Sequence, residues 1–400
     1  MENTALTLLS GLRVLDLSTA MGALCGKLLR DFGMDVIKVE PPAGDPLRSE
    51  PPFAKGHTHR EGSLQFAYLN AGKRGITLDL TRVAGRGLFL ELAQRSDIVL
   101  DSHEPGYLES VGIGYDVVVE RNPKVILVSL SGFGQSGPYR DYAASDIVTT
   151  AMGGLLYISG DPTLPPCMPP EQQSYYYGSL YAAFGAMLAL WQRETKGLGA
   201  YIDASVQAGL ALHEHVAFTY SAEKRIMKRA GSQHQHVAPA NLFPCKDGFI
   251  SFFVTQRHWP IFIKIWEDHP KELDDPRWEL NAERRAKADW LNPLVASFTS
   301  KYKKDELAHL LQKSGLPALP VNTPADFMND PHINERGFFD TVTHPVLGSY
   351  KQPSAPFSVD GKRPAAMPAP LLGQHNSEVY SNDLGLGGDQ LDILASEGVI

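Results

Sequence analysis

A chain of 400 residues, 43% hydrophobic and 20% charged, carries enough apolar material for two ordinary globular domains. Its formal net charge of −8 excludes a general nucleic-acid binder, whose footprint is basic, though not a local cationic patch for an anionic ligand. Three scattered cysteines, Cys25, Cys167 and Cys245, exclude a disulfide framework and a zinc-ligand spacing, which points to a reduced, cytoplasmic setting. No signal peptide is expected at Met1-Glu2-Asn3-Thr4, and no apolar stretch is long enough to span a membrane.

Arg13-Val14-Leu15-Asp16-Leu17-Ser18 predicts a first strand. The spacing of Leu24, Leu28, Leu29 and Phe32 predicts a helix over residues 23–32, closed by Gly33, and Asp35-Val36-Ile37-Lys38-Val39-Glu40 predicts a second strand. Two strands around one helix form a βαβ unit, ended by Pro41, Pro42, Gly44 and Pro46. Residues 76–80 predict an extended segment, 83–96 a helix, and 97–100 and 124–130 two core strands. Strands alternating with helices indicate a doubly wound parallel sheet. Small and apolar residues predict a helix over 178–193, followed by an extended run at 201–205 and more helix through Tyr220. Lys224, Arg225, Lys228 and Arg229 mark a basic linker. A strand at 249–254 and helices over 259–313 then suggest a smaller domain, before a proline-rich return to a last helix near 389–397. The residues alone divide into a doubly wound domain over 1–205 and a smaller domain over 225–325.

The chain is organised around the loop Ser131-Gly132-Phe133-Gly134-Gln135-Ser136-Gly137-Pro138-Tyr139, which follows the strand at 124–130. In open α/β sheets, ligands bind at the carboxyl ends of the strands. Gly132, Gly134 and Gly137 match a formal G-x-G-x-x-G, but a dinucleotide fingerprint needs a helix opening directly after it. Pro138-Tyr139-Arg140-Asp141-Tyr142 is no clean helix start.

These blocks, taken in order, resemble the class III CoA-transferase family, which holds both transferases and racemases. Residues 9–18, the run Asp31 to Pro42 with Gly44-Asp45-Pro46, Asn70-Ala71-Gly72-Lys73-Arg74, the loop 131–139, Pro244-Cys245-Lys246-Asp247-Gly248 and Leu372-Gly373-Gln374-His375 carry the likeness. The resemblance implies a large Rossmann-like domain over 1–224, a small α+β domain inserted over 225–325, and a return to the large domain over 326–400. It also implies two chains interlocked as a homodimer, and coenzyme A bound as a thioester, with no metal. It implies an acyl-CoA and a small carboxylic acid as partners, and no nucleic acid or membrane. Lys73 and Arg74 match the family's CoA-contacting block, with Arg48 and Lys38 as weaker candidates; Gly132, Gly134 and Gln135 match its most recognisable loop.

The chain departs from the pattern at the chemistry. Transferases of the family use an aspartate just before the helix at 178, as a nucleophile forming a mixed anhydride and then an enzyme-bound thioester. The matching position is Ser174 in Pro169-Pro170-Glu171-Gln172-Gln173-Ser174. The racemases' histidine is also absent, since the pair here reads Ser145-Asp146. Ser174, Glu171 and Asp146 are the candidate catalytic residues. Where the family carries Asn-Phe-Arg-Pro-Gly, this chain has Ser102-His103-Glu104-Pro105-Gly106, an anion in place of a cation. Transfer of CoA between carboxylic acids, an acyl-CoA isomerase or lyase using another group, and a non-catalytic subunit of a heteromeric transferase all remain open.

Overall fold

Six strands make one parallel sheet: β1 (Arg13–Asp16), β2 (Asp35–Glu40), β3 (Arg74–Thr77), β4 (Ile98–Asp101), β5 (Ile126–Ser131) and β6 (Ala200–Ser205), in the order β3-β2-β1-β4-β5-β6. The computed structural model of the chain describes residues 8–213 and 215–400. Met1-Glu2-Asn3-Thr4, and the expectation of no signal peptide there, lie outside the described residues.

The central strands are apolar because both faces of the sheet are covered; every residue of β4 and β5 is buried. Neighbouring residues point to opposite faces. Leu15, Ile37, Ile76, Val99 and Leu127 pack one core layer with Phe89 and Tyr380. Val14, Val36, Ile98, Ile126 and Val128 pack the other with Ala182, Ala183 and Ala186. The strand order reverses between β1 and β4, which opens a crevice at their carboxyl ends.

The chain divides into two compact units. The first holds residues 1–155, 169–225 and 335–400; the second holds 156–168 and 226–334. In the second unit, β7 (Ala240–Cys245), β8 (Gly248–Phe253) and β9 (Ala318–Pro320) form an antiparallel sheet. Its core is aromatic: Phe252 and Phe262 meet at 4.8 Å, with Trp259, Trp266 and Phe298 around them.

The carboxyl-terminal residues cover the edge strand β3. His375 donates its N–H to the Gly75 carbonyl and accepts the Gly75 N–H on Nδ1 at 3.0 Å. Asn376 Oδ1 accepts the Thr77 N–H at 2.8 Å, and the Tyr380 hydroxyl donates to the Thr77 carbonyl at 2.7 Å. An edge whose donors and acceptors are taken cannot recruit another strand.

Two helical boundaries differ from the sequence expectation. The long helix spans Gln173–Lys196, five residues earlier than residue 178, so Ser174 sits in its first turn rather than before it. No local side chain caps this start. Asp146, far away in sequence, accepts the Ser174 N–H instead, and a carboxylate at a helix start also complements the helix dipole. The stretch after β6 is two helices, Val206–His213 and Val216–Glu223, not one.

In the first unit β10 (Phe339–His344) and β11 (Gly348–Pro353) form a hairpin. Buried His344 accepts the N–H groups of Val346 and Leu347 on Nδ1, each at 3.2 Å, which requires a free ring nitrogen. Burial lowers its pKa, Glu61 opposing and Arg48 assisting. The folded chain therefore binds fewer protons than the unfolded chain, so this stabilisation is complete above the unfolded value of about 6.5 and is lost as pH falls below it. Denaturant unfolding from pH ~7 to ~5 should show falling stability, and His344→Gln should flatten that dependence; equal slopes in the two proteins would remove His344 as its source.

Candidate active site

The glycine-rich loop leaves the buried end of β5 and folds back on the sheet edge. A side chain at Gly132 would bring its Cβ to 2.3 Å from the Ala144 Cβ, so only glycine fits there. Gly134 has a φ of +90°, and the Gln135 N–H then donates to Asp203 Oδ1 on β6 at 2.9 Å. These contacts give Gly132 and Gly134 packing reasons. The side chain of Gln135 lines a cavity of about 520 Å³ with Arg140, Tyr115 and Tyr201.

Beyond the loop, Asp146 opens the short helix Asp146–Met152 and faces the start of the long helix. Its Oδ1 accepts from the Ser174 N–H at 2.9 Å and the Ser174 hydroxyl at 2.6 Å. Thr149 Oγ1 lies 2.7 Å from Ser174 Oγ. Ser174 and Thr149 are fully buried, and Asp146 Oδ2 is buried without a hydrogen-bond partner. The structure thus brings together two of the sequence candidates, Ser174 and Asp146, in a closed polar knot.

Glu171 stands apart from that knot. It is exposed and adopts a φ of +62°, a left-handed conformation that a residue with a side chain rarely holds. It is close enough to Tyr176 that, after burial, its charge is the next cause raising the Tyr176 phenol. Burial followed by the Asp146 carboxylate raises the Tyr175 phenol likewise. Both tyrosines are therefore neutral at physiological pH and can donate a proton in a hydrogen bond.

The cations expected to meet CoA phosphates are spent inside the unit. Lys73 Nζ donates to Asp16 Oδ2 at 2.7 Å, Asn70 Oδ1 at 2.9 Å and the Ala23 carbonyl at 3.1 Å, using all three protons. Burial works to raise the Asp16 carboxyl, but Lys73 and Lys38 outweigh it and hold it below the usual range. Arg74 forks onto Asp35 at 2.9 and 2.6 Å and reaches Glu378 at 3.0 Å. Lys38 is buried on Asp45 and the Ser18 carbonyl. Arg48 grips Glu40 with two nitrogens, at 2.6 and 2.8 Å, and Glu61 with a third. A buried charge must be paired, and here the partners come from neighbouring strands and loops. The sequence signal for this network is a charge inside an apolar strand, Asp16 in β1 and Lys38 in β2.

Sequence reasoning also missed a pair at the crevice between β1 and β4. His103 Nδ1 lies 2.6 Å from Asp101 Oδ1, and its ring stacks on Tyr107 with centroids 4.3 Å apart. Both rings line a cavity of about 250 Å³ bounded by Leu17, Val39, Pro41 and Leu80. Among the described residues no group of three or more His, Cys, Asp or Glu side chains could hold a metal ion.

A doubly wound sheet whose crevice opens beside a glycine-rich loop, joined to a separate antiparallel unit, defines a class that known proteins share. Residues 9–376 match CoA-transferase family III, and the chain belongs to that family. It is a class III CoA-transferase-like protein whose substrate is a coenzyme A thioester. It is 35% identical over 405 residues to the succinyl-CoA–D-citramalate CoA-transferase of Chloroflexus aurantiacus, covering 98% of each chain. It is 31% identical over 410 residues to the succinyl-CoA–L-malate CoA-transferase beta subunit of the same organism, covering 100% of each. The crystal structure of a CAIB/BAIF family protein from Brucella suis superposes with a TM-score of 0.84 at 29% identity, over 94% of this chain and 99% of that one.

Proposed function

We propose that this chain transfers CoA between two carboxylic acids, with Glu171 as the enzyme carboxylate that carries the acyl group and then CoA. The observation that carries this reading is the exposed, left-handed Glu171 at the entry to the long helix, three residues before the buried Ser174. The chemistry needs a carboxylate. An attacking serine gives an oxygen ester and has no acyl carbon on which CoA could sit.

A carboxylate oxygen of Glu171 attacks the acyl-CoA carbonyl carbon; the C–S bond breaks and CoA thiolate leaves, giving a mixed anhydride. The thiolate then attacks the Glu171 carboxyl carbon, releasing the first acid and leaving CoA on the enzyme. The second acid reverses both steps, and Glu171 is regenerated with no net loss of atoms or charge. The neutral phenol of Tyr176, which feels the Glu171 charge, is the donor proposed for the oxyanions that form. In this reading Asp146 and Ser174 support the helix start on which the nucleophile is mounted.

The proposed assembly is an interlocked dimer in the cytoplasm. The long helix exposes Leu180, Phe184, Leu188 and Trp191, the last at 71%, on one face at spacings of four, four and three. Such a stripe marks a surface that another chain covers. A second reading, in which this chain is a silent subunit beside an active relative, is favoured by Ser174 closing over Asp146 and by the relative named as a beta subunit.

Purified protein incubated in deuterated water with a panel of acyl-CoAs and free acids, read by mass spectrometry, separates these readings. New acyl-CoA pairs, with a hydroxylamine tag on the Glu171 peptide, are expected. A deuterated or rearranged acyl chain on the same CoA would replace transfer with isomerase or lyase chemistry. Silence alone, with turnover restored by a co-expressed relative, would establish the subunit reading.

A further inference from the structure

The second unit carries an arginine pair with no acidic partner. Arg284 and Arg285 are neighbours on the short helix Asn281–Ala286. Arg284 is fully buried, and every bond it makes is to a main-chain carbonyl: Nε to Ala238 at 2.6 Å, and Nη1 to Trp278 and to Glu279. Its Nη2 is buried without a hydrogen-bond partner, and its guanidinium lies 4.9 Å from the centre of the Trp259 ring. Burial pulls its pKa down to about 10, so it stays charged at neutral pH. A buried charge ordinarily has an opposite charge beside it, and here none of the partners is a carboxylate.

Arg284 also fixes a loop. Beside its bond to Ala238, Asn281 accepts the Ala238 N–H at 3.2 Å and donates to the His236 carbonyl at 2.8 Å. Gln233, His234 and Gln235 of this loop, with Arg285 of the helix, line a cavity of about 420 Å³. Among the described residues no carboxylate side chain lines it. His234 Nδ1 accepts the His236 N–H at 3.1 Å, which puts the proton of the neutral ring on Nε2. An edge-on contact with Phe253, centroids 5.2 Å apart, holds the ring plane. Gln235 is tied to the Lys228 carbonyl at 3.1 Å. His234 Nε2 and the exposed Arg285 guanidinium have no partner among the described residues. The cavity therefore offers one donor from the loop and a charged fork of donors from the helix.

We propose that this cavity binds the carboxylate of a small organic acid, which Arg285 grips through its fork of N–H groups while His234 donates Nε2–H. A planar, two-oxygen anion matches that fork. Arg284, one position away, adds positive charge that its carbonyl partners do not cancel. That the acid is a substrate rests on the transfer reading above; that it binds does not.

The test is calorimetric titration of acetate, butyrate and succinate into the full chain and its Arg285→Gln variant, at neutral pH and one ionic strength. Arg285→Gln should weaken the acids about tenfold or more, as loss of a charge-assisted fork requires. Arg285→Lys, which keeps the charge and loses the fork, should recover part of that affinity. His234→Phe, which keeps an aromatic ring against Phe253 and removes the donor, should cost a few-fold. Arg285 is exposed, so its variants should unfold like the wild type, which denaturant titration checks. Steady-state transfer kinetics then identify the acid. A KM for the acid raised about tenfold with kcat little changed makes it the substrate, and an unchanged KM makes it a separate effector. Equal affinity in wild type and Arg285→Gln, or no binding of any of these acids, overturns the site and leaves the transfer reading standing. Arg285-dependent binding by a chain that transfers CoA to no acid keeps the site and overturns the transfer reading.

Discussion

Glu171→Gln is expected to abolish CoA transfer, lowering kcat by at least about a thousandfold, because an amide cannot form the anhydride or the enzyme thioester. The substitution keeps the side-chain length and the exposed position, so acyl-CoA binding and unfolding behaviour should stay close to wild type. Ser174→Ala is the control. It removes one hydroxyl bond to Asp146 Oδ1 while the backbone N–H at 2.9 Å remains. That change should cost about 1–3 kcal/mol of stability and leave turnover within about tenfold. Steady-state kinetics with hydroxylamine trapping on both variants checks this. Retention of more than a tenth of wild-type turnover by Glu171→Gln would end its role as nucleophile. A matching loss in Ser174→Ala would move the chemistry to the buried knot.

The second large effect concerns stability. Lys73→Ala should destabilise the first unit by about 3–5 kcal/mol, since it leaves the Asp16 carboxylate buried without its principal partner. Both side chains are fully shielded from solvent. Gly26, in the first helix Ala23–Asp31, belongs to the same arrangement: a Cβ there would lie 2.2 Å from Asp16 Oδ2 and 2.8 Å from Lys73 Nζ. The helix accepts a glycine, itself unfavourable by about 1 kcal/mol, to admit the ion pair. Replacing both charges together, Asp16→Leu with Lys73→Met, should restore much of the loss, as apolar substitutes for buried pairs do. Chemical denaturation of the two proteins measures it. A Lys73→Ala protein as stable as wild type would show that water reaches Asp16 on substitution. If the pair instead held CoA, the variant would lose affinity without losing stability.

The elements of this chain are legible one at a time. A short apolar run such as Ile126 to Leu130 has no stable place except inside a sheet, and glycine after β5 can only be a turn. Gly33, Pro41 and Gly197 stop elements by local backbone restriction, which needs no knowledge of distant residues. The blocks that carry the family likeness are local for the same reason. The start of the long helix was not legible, because its cap, Asp146, is 28 residues away. Nor were the roles of Lys73 and Arg74, whose basic run looks free until Asp16 and Asp35 are brought beside it.

What the sequence by itself determined is therefore the run of strands in the parallel sheet, the long helix that follows them and the glycine-rich turn, while the β10–β11 hairpin and the short helices such as Asp146–Met152 escaped it. What only the tertiary structure decided is which charges are already spent. Lys73 finds Asp16 across 57 residues, and β3 finds His375 across 300. Strand order sets those meetings, and it is chosen by how two apolar faces bury together rather than by any local pattern. Once chosen, it leaves Glu171 exposed at a helix entry and His103 facing the crevice, while the cations that looked most available lie paired with carboxylates of the same unit.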